Sequence, residues 1–156
     1  MASLNYDKVF SRFFTKVEAF DFIYEEMSDE MMAEFMHSWL RSAIAYPYIR
    51  RLFTEISMDD EERVLDFKLR YPIDDFSDEE FIVEVLAYGV MYSWLEPKVR
   101  SITNITQTFT SSEQKYYSQA SHLSELRALL SDSELRIRAL IRDRGYMYNA
   151  YLDGGV

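Results

Sequence analysis

Apolar residues from Tyr6 to Phe22 recur at steps of three and four, through Val9, Phe10, Phe13, Phe14, Val17 and Phe20. That period is the stripe of an amphipathic helix. A second helix is predicted from the capping residue Ser28, followed by Asp29 and Glu30. Met31, Met32, Phe35, Trp39, Leu40 and Ile44 hold its period until Pro47. Near Asp66 the period drops to two, with Leu65, Phe67 and Leu69 alternating against Asp66, Lys68 and Arg70. A partner strand from Arg51 to Ile56, with Leu52, Thr54 and Ile56 on one face, would complete a short β-hairpin turning at Met58-Asp59-Asp60-Glu61.

Ser77-Asp78-Glu79-Glu80 reads as a capping box, and Phe81, Ile82, Val85, Leu86, Val90 and Trp94 carry a third helix to about Leu95. Pro97 then stops or bends it, and 97–102 is read as a new helical segment beyond a kink. From Ser101 to Ser112 the large apolar groups are Ile102, Ile105 and Phe109 among Thr, Ser, Asn and Gln, which predicts a polar loop able to reach a neighbour. Ser111-Ser112-Glu113-Gln114 caps a helix through Tyr116, Ala120, Leu123, Leu126 and Leu130. Ser131-Asp132-Ser133-Glu134 punctuates it and caps a last helix carrying Leu135, Ile137, Leu140, Ile141 and Tyr148, the pair forming a C-terminal helical hairpin. The expected fold is mainly α, a bundle of about four to five helices with a short β-hairpin near residues 51–70. It is read as one domain over residues 1–152, with 153–156 as a loose end.

Composition sharpens this picture. At 156 residues and 48% hydrophobic content, the chain has ample material for one core. Without cysteine there is no disulfide or thiolate site, which fits a reducing compartment. Charges interrupt the first residues, so no secretion signal is expected, and no run of about 18 to 20 uncharged apolar residues predicts a membrane span. The net charge of −10 is uneven: residues 1–96 hold 9 Lys/Arg against 21 Asp/Glu, whereas 97–156 hold 8 against 6. The acidic two-thirds would repel a phosphate backbone, so specific nucleic-acid binding there is not expected. Solubility alone is the other reading of the excess.

Candidate chemistry is sparse. Glu34 and His37 have the Glu-x-x-His spacing of di-iron bundles, but the second histidine, His122, follows Gln119, and an amide cannot supply the second carboxylate. No metal or other cofactor is expected. The chain has no thiol nucleophile, P-loop or dinucleotide motif, and the acid runs at 59–62 and 74–75 fall in polar turns, so no catalysis is expected. Asn104-Ile105-Thr106 has the form of a glycosylation site and is read as loop chemistry. The tail around Arg144, Tyr146, Met147, Tyr148, Tyr151 and Leu152 has the composition of an interface anchor, unless its rings complete the core.

The stretches Phe81-Ile82-Val83-Glu84-Val85-Leu86-Ala87, Tyr92-Ser93-Trp94-Leu95-Glu96-Pro97-Lys98-Val99 and Tyr117-Ser118-Gln119-Ala120-Ser121-His122-Leu123-Ser124-Glu125-Leu126-Arg127 resemble tailed-bacteriophage neck proteins of the head–tail connector, or adaptor, class. The likeness spans most of residues 80–152 and is weaker before them. It implies a helical subunit of a ring of about twelve copies, assembled in the host cytoplasm into the virion neck. Such a ring joins the portal protein to a downstream neck or tail protein and lets DNA pass through its channel without specific binding. Contacts are expected from the loop at Ile102, Ile105 and Phe109 and from the tail. The alternative is a small intracellular helical regulator or adaptor that binds a single protein.

Overall fold

The computed structural model describes residues 1–17, 29–108 and 113–148, with side-chain surroundings for 1–17, 33–100 and 123–147. Strand β1 (Ala2–Asn5) leads directly into helix α1 (Tyr6–Val17). Helix α2 (Asp29–Ala45) and the single turn α3 (Pro47–Arg50) precede strands β2 (Phe53–Asp59) and β3 (Val64–Leu69). Two long helices follow, α4 (Asp75–Thr108) and α5 (Glu113–Gly145), and a 3-10 turn at Tyr146–Tyr148. The fold is thus mainly helical with a small antiparallel sheet, and a long α4–α5 hairpin supplies its C-terminal half.

The β-hairpin forms as expected, but the sheet has a third strand, in the order β1-β3-β2. Residues 2–5 carry no readable period in the sequence, because Leu4 alone points inward. The predicted face of Leu52, Thr54 and Ile56 is corrected by a register shift between Phe53 and Glu55. Thr54 is the extra residue, so Phe53 opposes Leu69, Ile56 opposes Phe67 and Met58 opposes Leu65 on the side facing the helices. The turn lies slightly later than expected: Asp59 Oδ1 accepts from the backbone of Glu61 and Glu62 at 3.0 Å, and Arg63 takes the left-handed φ of 56° that reverses the chain.

Helix α4 is the spine of the core. Its Ile82, Val83, Val85, Leu86, Val90, Met91, Trp94 and Leu95 are buried against Phe10 and Phe13 of α1, Leu40 and Ala43 of α2, and Leu126, Ile137 and Ile141 of α5. It begins before the expected capping box. Asp74 accepts from Ser77 N (2.8 Å), while Asp78 reaches back to Ile73 N (3.0 Å), so the reciprocal cap lies a few residues upstream of the one read at Ser77.

Three further expectations are corrected. Residues 101–108 continue α4 as helix instead of forming a loop, so Ile102 and Ile105 belong to α4 while Phe109 lies outside the described residues. Pro97 sits inside this helix instead of ending it, at the cost of the one hydrogen bond its missing N–H would have made to Ser93. The break at 131–134 is also absent, because α5 is continuous. There the Ser133 hydroxyl donates to Leu130 O (2.8 Å), and Asp132 and Glu134 pair with Arg136 and Arg138 one turn on, so cap-forming residues are satisfied within the helix. The hairpin is therefore made by α4 and α5. Asp78 near the start of α4 meets Arg144 at the end of α5, as antiparallel packing requires.

Candidate protein-docking surface

An ion pair joins the start of α4 to the end of α5. Arg144 Nη2 lies 2.5 Å from Asp78 Oδ1, with side-chain exposures of 10% and 13%. The same nitrogen donates to Tyr71 O (3.2 Å), and the guanidinium lies 4.4 Å from the Phe81 ring centre. Asp78 also accepts the Ile73 backbone N–H, so each member of this shielded pair has further polar partners. The expected interface residue Arg144 thus buttresses the surface from within.

Around this clamp the apolar groups point outward. Tyr146 is 58% exposed, Met147 54%, Tyr71 62% and Phe76 77%. Tyr71 and Gly145 line a cavity of about 360 Å³, and Met1, itself exposed, lines another of about 660 Å³ with Pro72, Asp75 and Asp78. Large apolar side chains left in water at one end mark a docking surface more often than chance scatter. Tyr148 ends the 3-10 turn with its side chain outside the described set, and Tyr151 and Leu152 lie outside the described residues. Tyr71, Phe76 and the cavity lining were not foreseen. The adjacent Arg50-Arg51 in an acidic half was the available signal.

A second surface lies between α2 and α4. Phe35 stacks on Trp39 (ring centres 6.1 Å apart) and Tyr46 on Tyr92 (5.7 Å), beside Ser38, Ser42, Ser93, Glu96 and Pro97 in a groove of about 560 Å³. Phe35 is 44% exposed. Asp78 at the first surface and Ser93 at the second lie about 22 Å apart along α4.

The expected spacing of Glu34 and His37 brings no ligand set together. Glu34 is exposed, whereas His37 packs against Tyr6 (5.3 Å) and Phe10 (6.2 Å) of α1, with Nε2 buried and lacking a hydrogen-bond partner. Among the described residues no three His, Asp or Glu side chains converge as metal ligands. Beside His37, the Tyr6 hydroxyl donates to Asp60 (2.9 Å), which also receives Arg41 (2.5 Å). Burial, then the bond to Asp60, raises the Tyr6 hydroxyl far above its usual pKa, and the bonds from Tyr6 and Arg41 hold the Asp60 carboxyl low.

Among the described residues, no helix is long and apolar enough to cross a membrane. No protein-family model, curated protein or solved structure matches the chain.

Proposed function

We propose that the chain is a structural subunit of the head–tail connector class, which closes into a ring and joins a phage portal to downstream neck or tail proteins. The observation that carries this reading is the pair of separate apolar surfaces, one at the Asp78–Arg144 end and one between α2 and α4. A head-to-tail ring needs two different, mutually complementary patches on every subunit, whereas a two-fold dimer needs only one. The resemblance of residues 80–152 to neck proteins supports the same reading, as does an acidic balance that lets DNA slide without a grip. The ring would form in the host cytoplasm and act in the virion neck.

The test is electron microscopy of the purified protein mixed with a candidate portal ring. An added layer bearing the portal's own symmetry is the expected result. A bare portal beside monomeric protein would remove the connector reading and leave a regulator that binds a single partner.

A further inference from the structure

We propose that the cavity between β3 and α5 is a docking pocket for an acidic peptide segment of a partner protein. One large apolar side chain of that segment enters the cavity while its flanking carboxylates meet Arg51 and Arg70. This rests on the apolar end surface described above and not on ring formation, and the peptide would compete with any ring contact made through that end.

The cavity, about 360 Å³, has apolar walls from Leu52, Leu69, Phe81 and Ile141, with Arg51 and Arg70 on its lining. That volume suits one bulky side chain and falls at the small end of ligand-binding clefts. The rim charge is unusual for this chain. Acids outnumber Lys and Arg by 27 to 17. Lys8, Arg12, Lys16, Arg41, Arg63, Arg138 and Arg144 each meet a carboxylate. Arg51, Arg70 and the neighbouring Arg50 have none within ion-pairing distance among the described residues, and all three are exposed. Arg50 donates instead to Phe53 O (2.9 Å), and Arg70 Nε to Arg51 O (3.3 Å), which ties the Arg70 head to the Arg51 backbone. Of the acids at this corner, Asp78 is held by Arg144 and the Ile73 N–H and Asp74 by the Ser77 N–H, while Asp75 lines the adjoining cavity with Arg70 without an ion pair between them. The result is an apolar pocket whose rim arginines, Arg51 over the Tyr48 ring and Arg70 beside the Arg51 backbone, form no ion pair among the described residues.

Guanidinium groups at such a rim pair with carboxylates in bidentate fashion, and an apolar floor rewards a side chain that water solvates poorly. A nucleic acid fits less well, since the Arg144 guanidinium on the lining is already held by Asp78 and the surrounding protein is acidic.

The experiment is a titration of the full-length protein, isotope-labelled and observed by amide NMR, with three short synthetic peptides. One consists of Glu and Asp around a central Phe, the second replaces that Phe with Ala, and the third replaces the acids with Lys. The acidic Phe peptide is expected to bind saturably and shift the amides of residues 51–52, 69–71, 81 and 141–145. The Ala and Lys peptides should each bind about tenfold more weakly or not at all. Arg51→Glu and Arg70→Glu, both at exposed positions, should each weaken the Phe peptide by about tenfold with unchanged circular dichroism, and Arg51→Gln should fall between.

No saturable shift at concentrations on the order of 1 mM, equal binding of the Lys peptide, or indifference to both reversals would overturn the pocket assignment. Stronger binding of a single-stranded oligonucleotide at the same amides would overturn it too. Because the titration needs no assembly, peptide failure beside an intact portal layer removes the pocket alone, and peptide binding without a layer removes the ring alone.

Discussion

A β-carbon at position 89 would lie 2.8 Å from Ala43 Cβ and 2.9 Å from Ile49 Cδ1, so glycine is what lets α2 and α4 touch. Alanine is worth about 1 kcal/mol more than glycine inside a helix, but forcing a methyl into a closed crossing costs about 1 to 3 kcal/mol. Since Ala43 Cβ is fixed to its own backbone, the clash should win. Gly89→Ala is expected to lower stability by about 1 kcal/mol in urea melts, and a variant as stable as the parent would show that the helices part freely. Tyr6 offers a pH test. Its folded-state pKa lies above the ordinary 10.0, so it contributes stability below that value and loses it as pH rises beyond. Tyr6→Phe should cost about 1 kcal/mol at pH 8 for the lost bond to Asp60 and should flatten the decline in urea midpoint above pH 10. An unchanged alkaline slope would place that decline elsewhere. Neither environment was legible in the sequence, because a glycine within a helical period and a tyrosine at a helix start look alike whether packed or free.

Among the elements, α1 is bound to α4 by a ladder that matches their faces. Lys8, Arg12 and Lys16, one turn apart, meet Glu79, Glu80 and Glu84, and Glu84 receives Arg12 at 2.8 Å and Lys16 at 2.5 Å. Burial pushes the Glu84 carboxyl up, but the bonds from Lys16 and Arg12 together outweigh it and leave the group below its ordinary 4.5. A carboxylate so lowered contributes stability above that ordinary value and loses it as pH falls further. Glu84→Gln should cost about 1 to 2 kcal/mol at neutral pH and shrink the loss of stability between neutral and acid pH, read by thermal melts across that range. Equal acid sensitivity in parent and variant would sink the assignment. The long helices were readable where stripes such as Val9-Phe10-Phe13 and Val85-Leu86-Val90 mark them. The single turn α3 is too short to show a period, and the polar stretch 101–108 hid the end of α4. Boundaries were not readable. Ser, Asp and Pro carry the same local chemistry in a cap or in mid-helix, and at 97 and 131–134 the long α4–α5 packing decides for continuity. The tail's aromatic character was legible at Tyr146 and Met147, but the buried role of Arg144 depends on Asp78, which lies 66 residues earlier.

For the molecule as a whole, the uneven charge could be counted in the sequence, while the two apolar surfaces could not, since each consists of what packing leaves uncovered. Their separation along α4 leads to a mixing test of the head-to-tail contact. Phe76→Glu with Tyr146→Glu charges the end surface, and Phe35→Glu charges the groove; all three positions are exposed, so the core is spared. A carboxylate buried at an unmatched contact costs several kcal/mol, enough to dissolve an interface of modest affinity. In sedimentation, each variant alone should be monomeric where the parent assembles. Mixed in equal amounts, the two should give a heterodimer and nothing larger, because each retains only the face the other lacks. If the groove variant alone still dimerises, the contact is a two-fold one through the end surface. If the mixture stays monomeric, the two surfaces do not meet each other.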